Sequence, residues 1–147
     1  MTADSTIMII EDSPEDYEAC VAALTQDNNV ANTIVWFENG EDALAYLRKE
    51  GKHTNADHGM PGVILLDLNL PGLDGRDVLA MLKNDPVIKR LPVVVMTSSD
   101  DQMDIDRCYD AGANSYVVKP VNLDGFLAAI ARLRDYWFKI VVLPKPQ

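Results

Sequence analysis

Long apolar runs are absent from this sequence: no stretch approaches the roughly twenty residues that a membrane-spanning helix needs. The opening Met1-Thr2-Ala3-Asp4-Ser5 lacks the basic stretch and apolar core of a secretory signal. The expectation is a cytoplasmic chain with no membrane contact. Cysteine is scarce. Cys20 and Cys108 are too few for a disulfide framework, which fits a reducing compartment. Positive charge is also in deficit, with 13 Lys and Arg against 23 Asp and Glu and a net charge of -10. A phosphate backbone demands clustered Lys and Arg, so direct nucleic-acid binding is not expected. Internal repeats, low-complexity tracts and a linker dividing two domains are all missing. What remains is 147 residues, enough for one domain with a real core.

Short apolar runs are what the chain does have. Ile7–Ile10, Val63–Leu66, Val93–Met96 and Tyr116–Val118 show no polar alternation, and Ile34-Val35-Trp36-Phe37 is β-branched and aromatic. Such runs suit strands buried on both faces of a parallel sheet. Helical periodicity fills the gaps. Ser13 reads as an N-cap, with Pro14 in the first helical position and Glu15 and Asp16 in the first turn. Ala43, Leu44 and Leu47 mark a second helical face, and Val78, Leu79 and Leu82 a third. Ile105, Cys108 and Tyr109 mark a fourth, ending before Gly112; Leu123, Phe126, Leu127, Ile130 and Leu133 line a fifth. Strands alternating with helices predict a doubly wound α/β sandwich of three layers, a (βα)5 unit with right-handed crossovers. Its binding crevice should lie beyond the carboxyl ends of the strands.

The residues at those ends are chemically unusual. Glu11 and Asp12 follow the first run, Asp67 the third strand, Thr97 and Ser98 the fourth, and Lys119 and Pro120 the fifth. Adjacent carboxylates repel and raise one another's pKa, and a hard divalent cation with oxygen ligands relieves the strain. Asp12 and Asp67 are the expected direct ligands of Mg²⁺, with Glu11 acting through water. Asn69 contributes either its backbone carbonyl or only the turn. Lys119 and Thr97 would hold phosphoryl oxygens, and Asp67 would be the nucleophile that forms an acyl phosphate. Thr97 and Ser98 have a second reading, as caps of a helix starting near Asp100. His53 and His58, in a polar loop without cysteine support, read as solvent-exposed rather than as a transition-metal site. Cys20 and Cys108 read as packing residues.

Ile9-Ile10-Glu11-Asp12-Ser13, Leu65-Leu66-Asp67-Leu68-Asn69-Leu70-Pro71 with Asp74-Gly75, Met96-Thr97-Ser98 and Val118-Lys119-Pro120 resemble the receiver domain of two-component response regulators. The likeness spans about residues 6–135 of a single domain, leaving a C-terminal extension of about 136–147. It implies a flavodoxin-like fold with a five-stranded parallel sheet of order 2-1-3-4-5. It also implies phosphotransfer to Asp67 from a histidine kinase or a histidine phosphotransfer protein, followed by slow self-catalysed hydrolysis. Tyr116 reads by itself as a strand aromatic of the core; by the resemblance it matches the family's switch aromatic and would move with Thr97 to alter the face of the fourth helix, fifth strand and fifth helix. The resemblance carries a cis Lys119–Pro120 bond as an expectation. The long Gly51–Pro61 connection and the apolar tail resemble small regulators that serve phytochrome-type kinases. They suggest a homodimer through Tyr136, Trp137 and Phe138, with cover for the chain's own core as the second reading of these aromatics; the expected role is a single-domain regulator or phosphorelay shuttle. Ser98 departs from the Ala or Gly common in receivers, which bears on the lifetime of the phosphorylated state. A phosphohydrolase of small molecules would want an acid two residues after its nucleophile, where this chain has Asn69. A constitutive scaffold would not need all of Glu11, Asp12, Asp67, Thr97 and Lys119.

Overall fold

A computed structural model describes residues 6–25, 33–55 and 58–137. Five strands alternate with five helices: β1 Thr6–Ile10, α1 Pro14–Leu24, β2 Thr33–Phe37, α2 Gly40–Arg48, β3 Val63–Leu66, α3 Gly75–Asn84, β4 Val93–Thr97, α4 Gln102–Ala111, β5 Ser115–Val118 and α5 Leu123–Asp135. The sheet is wholly parallel, in the order β2-β1-β3-β4-β5. The apolar runs mark all five strands, but they divide by position. β3 and β4 are buried throughout and β1 in all but its first residue, because helices cover both faces; the edge strands β2 and β5 are only half-buried.

The period-two geometry of a strand sorts the core into two layers. Met8, Ile10, Ile64, Leu66, Val93 and Val95 pack with α2, α3 and α4. Ile7, Ile9, Val63, Leu65, Val94 and Met96 pack with α1 and α5. Each helix starts on a side-chain cap: Ser13, Asn39, Asp74, Asp101 and Asn122 each accept a backbone N–H of the first turn. Each cap contributes about 1 kcal/mol to its helix.

Several expectations change in three dimensions. Asp101, not Thr97 or Ser98, caps α4, because its carboxylate reaches the Met103 N–H at 2.8 Å. Tyr109 is exposed, and Cys108 is the buried residue of α4. His53 and His58 are not solvated loop residues. His58 stacks on Tyr46 with ring centres 3.7 Å apart, and His53 meets Tyr46 and Phe37 edge-on. Trp137, at the end of α5, is buried in the chain's own core with Phe126 and Ile130. Tyr136 is half-exposed, and Phe138 lies outside the described residues. No peptide bond among the described residues is cis, including Lys119–Pro120. Cys20 and Cys108 are both buried, as their spacing implies.

Candidate functional site

Hydrogen bonds of the parallel ladder run one residue past the strands and fix where the chemistry begins. Glu11 N–H donates to the Phe37 carbonyl at 2.9 Å, Asp67 N–H to Ile10 at 3.0 Å and Lys119 N–H to Thr97 at 2.7 Å. Three side chains far apart in sequence therefore leave the sheet at one rim. The Trp36 indole, stacked on Tyr17, donates to the Glu11 carbonyl at 2.7 Å and closes that edge. Gly75 brings the start of α3 against the backbone after Asp67: a Cβ there would stand 2.3 Å from the Asp67 carbonyl oxygen. Only glycine permits that approach.

At the rim, the Lys119 ammonium donates to Glu11 Oε1 at 2.5 Å, Asp16 Oδ2 at 2.8 Å and Asp67 Oδ2 at 3.1 Å. An ammonium has three N–H groups, and all three are engaged. Asp67 Oδ1 accepts the Asn69 N–H at 3.2 Å, and Glu11 Oε2 accepts the Ser13 N–H at 3.2 Å. Glu11 and Asp67 are buried, whereas Asp12 is exposed. Oxygens of Glu11, Asp12 and Asp67 lie within 4.8 Å of one another. Burial and the neighbouring Asp67 push the Glu11 carboxyl up to about 8. Burial opposes the charge of Lys119, but its hydrogen bonds to Asp16 and Glu11 outweigh that and hold it above its ordinary value. One ammonium does not neutralise this many acids. A divalent cation with a preference for oxygen fits Glu11, Asp12 and Asp67, and the backbone carbonyl of Asn69 belongs to the same turn.

Thr97 is fully buried, and its hydroxyl accepts the Ser99 N–H at 3.4 Å. Tyr116 donates its hydroxyl to the Ser99 carbonyl at 2.9 Å. Thr97 and Tyr116 thus meet at one residue of the β4–α4 loop. Ser99 in turn donates to Asp104 at 2.7 Å, and Arg76 grips Asp104 with two hydrogen bonds of 2.6 and 2.7 Å. The guanidinium and the Ser99 hydroxyl hold the Asp104 carboxyl down at about 2. Ser98 is exposed and lines a cleft of about 500 Å³ with Asp16, Lys119 and Phe126. Cys20 is no nucleophile, since burial and then the charge of Glu11 push its thiol up to about 12.

The structure therefore brings Glu11, Asp12, Asp67 and Lys119 together and places Thr97 at the end of the adjoining strand. Asp16, Arg76, Ser99 and Asp104 escape sequence reasoning. Asp16 carries a signal only as an acid in a first helical turn, which the helix dipole explains without any contact.

Residues 7–131 match the response regulator receiver domain, and the chain belongs to that family. Among curated proteins it is 35% identical to the response regulator Rcp1 of Synechocystis sp. over 94% of this chain and 92% of the relative. Among solved structures, the phosphorylated cyanobacterial phytochrome response regulator RcpA superposes with a TM-score of 0.90 at 39% identity, over 97% of this chain and 99% of the other. The Mn²⁺-bound form of Rcp1 superposes equally well, with a TM-score of 0.90 at 34% identity over 96% and 99% of the two chains. The chain is thus a receiver-type signalling protein rather than a classical enzyme.

Proposed function

We propose that Asp67 is the phosphoacceptor of a Mg²⁺-dependent response regulator, charged by the phosphohistidine of a sensor kinase or a histidine phosphotransfer protein. The observation that carries this reading is the position of the Asp67 carboxylate. It is buried between the Lys119 ammonium and the Glu11–Asp12 pair, with one oxygen held by the Asn69 N–H.

In the transfer, an Asp67 oxygen forms the new P–O bond while the donor's P–N bond breaks and the leaving nitrogen keeps the electron pair and gains a proton. Asn69 N–H holds the other Asp67 oxygen, so the attacking one stays oriented. Lys119 transfers an N–H from Asp67 to a phosphoryl oxygen, and Thr97 supplies a hydroxyl to another. Asp12, Asp67 and the Asn69 carbonyl, with Glu11 behind them, would hold Mg²⁺, and the bound cation would supply positive charge to offset that of the phosphoryl group. When Thr97 turns toward the phosphoryl group, it releases Ser99 N–H, and the hydrogen bond of Tyr116 to the same residue carries that movement to the α4–β5–α5 face. Self-catalysed hydrolysis would return the switch to its resting state.

The likeness to Rcp1 and RcpA supports a phytochrome-type photoreceptor kinase as the partner, which would place the chain in the cytoplasm. A homodimer through the C-terminal segment belongs to the same reading, with Tyr136 as its exposed aromatic. Light scattering on the full chain and on a chain ended after Asp135 tests it; two monomers would sink it. Incubation with phosphoramidate and Mg²⁺, followed by intact mass, tests the central reading. One added phosphoryl group is expected, absent in Asp67→Asn. No addition to the wild type would overturn it.

A further inference from the structure

We infer that Asp16 is a positioning residue for phosphotransfer, a carboxylate on α1 that holds the Lys119 ammonium in place while the other two acids leave it. The inference rests on Asp67 as phosphoacceptor. Asp16 Oδ2 lies 2.8 Å from Lys119 Nζ, between the 2.5 Å contact to Glu11 and the 3.1 Å contact to Asp67. Its oxygens do not belong to the trio that could hold a cation. The three partners therefore face different demands. Glu11 has the cation to serve, and Asp67 gives up the bonding oxygen itself. Among the described residues, the Asp16 carboxylate meets Lys119 and no second cation.

Solvation separates the three in the same way. The side chains of Glu11 and Asp67 are 5% and 7% exposed, whereas that of Asp16 is 40% exposed. A carboxylate left in water gives up little hydration when it takes an ammonium N–H, so the contact costs little to keep. Its backbone is fixed as well, because the Asp16 N–H donates to the Ser13 cap at 3.2 Å. An acid serving only the helix dipole would need no such reach. Asp16 also borders the cleft shared with Ser98 and Lys119, so it stands on the side from which that ammonium is open. With Asp16 as anchor, the N–H released by Asp67 stays aimed at the incoming phosphoryl oxygen; without it, a flexible four-carbon stem is left to search.

A double-mutant cycle tests this through phosphoryl uptake from phosphoramidate with saturating Mg²⁺, followed by intact mass over time. Lys119→Met supplies the background without an ammonium, since it keeps the apolar stem. Asp16→Ala should slow uptake about tenfold in the wild-type background and leave the Lys119→Met rate unchanged. Asp16→Glu should recover part of the rate, and the Mg²⁺ dissociation constant of Asp16→Ala, measured by calorimetry, should stay within about twofold of wild type. The inference is overturned if Asp16→Ala reacts as fast as wild type or faster, if its loss is the same in both backgrounds, or if its defect follows weakened Mg²⁺ binding. Asp16→Asn, which preserves size and a polar group, runs in parallel should Asp16→Ala fold poorly. Failure of the wild type itself to take up phosphoryl would instead bring down the phosphoacceptor reading, and this inference with it.

Discussion

Two ionic clusters stand at the same rim of the sheet and are built on opposite terms. Around Arg76, the guanidinium is matched to Asp104 by two parallel hydrogen bonds and to Asp74 at 3.1 Å, and the Ser99 hydroxyl completes the set. Around Lys119, one ammonium serves Glu11, Asp16 and Asp67, while Asp12 stands beside them with the cation site still short of positive charge. The first cluster sets one guanidinium against two carboxylates that water still reaches, and ties the β4–α4 loop to α3. The second is open, since buried acids held together without enough cationic charge are stabilised by anything that brings it.

The contrast can be broken most forcefully at Lys119. Lys119→Ala leaves Glu11 and Asp67 buried without their ammonium, and should lower the stability of the metal-free protein by about 3 kcal/mol in urea titrations. Much of that loss should return with Mg²⁺. A loss that Mg²⁺ fails to reduce would mean that the acids are not a cation site. Gly75→Ala comes next. Its new Cβ must push α3 off the backbone behind Asp67, at a cost of about 2 kcal/mol, with phosphoryl uptake slowed as the site is displaced. Unchanged uptake would show that this close approach does not shape the site.

Arg76→Ala should cost about 2 kcal/mol by loss of charge-assisted hydrogen bonds, as read by thermal unfolding. It should leave Mg²⁺ affinity intact, because none of its partners lies in the cation trio. A large change in Mg²⁺ affinity would show that the two clusters are one.

The last effect is a difference of sign with pH. Metal-free, the folded chain keeps a proton on Glu11 up to about 8, whereas the unfolded chain releases it near 4.5. The folded state binds more protons in that window, so stability should fall as pH rises from 4.5 to 8 and level off above. Saturating Mg²⁺ should flatten the slope. Asp104 acts the other way. Its carboxyl is held at about 2 against an ordinary 3.8, so its contribution is constant across neutral pH and is lost only as pH falls from 3.8 toward 2. Denaturant midpoints of wild type and Asp104→Asn, measured with and without Mg²⁺, check both signs. A metal-free protein that gains stability between pH 5 and 8 would contradict the account of Glu11.

Much of this architecture is legible along the chain. An unalternating run such as Val63-Ile64-Leu65-Leu66 satisfies no surface strand, and a parallel sheet covered on both faces is the fold that accepts it. Glu11, Asp67, Thr97 and Lys119 each stand at or just past the end of such a strand, so local order alone sends them to one rim. Cap chemistry is equally local, and Ser13-Pro14 marks the start of α1 to the residue. Edge strands are where the pattern blurs, since β2 and β5 carry the same apolar residues at half the burial.

What local order could not decide is which side chains meet across long separations. Asp16 reads as a helix-dipole acid until α1 is laid beside the end of β5, and Arg76 and Asp104 are surface charges until α3 and α4 are neighbours. His53 and His58 read as loop polars until their rings meet Tyr46, and Trp137 has two readings, interface or own core, until it is found in the layer with α1 and α5. Strands, helix starts and the acids and lysine at the rim follow from the order of residues, because hydrophobic periodicity and capping act within a few positions. How those charges are shared follows from the packed fold, because an ion pair depends on a distance between side chains that no spacing along the chain encodes.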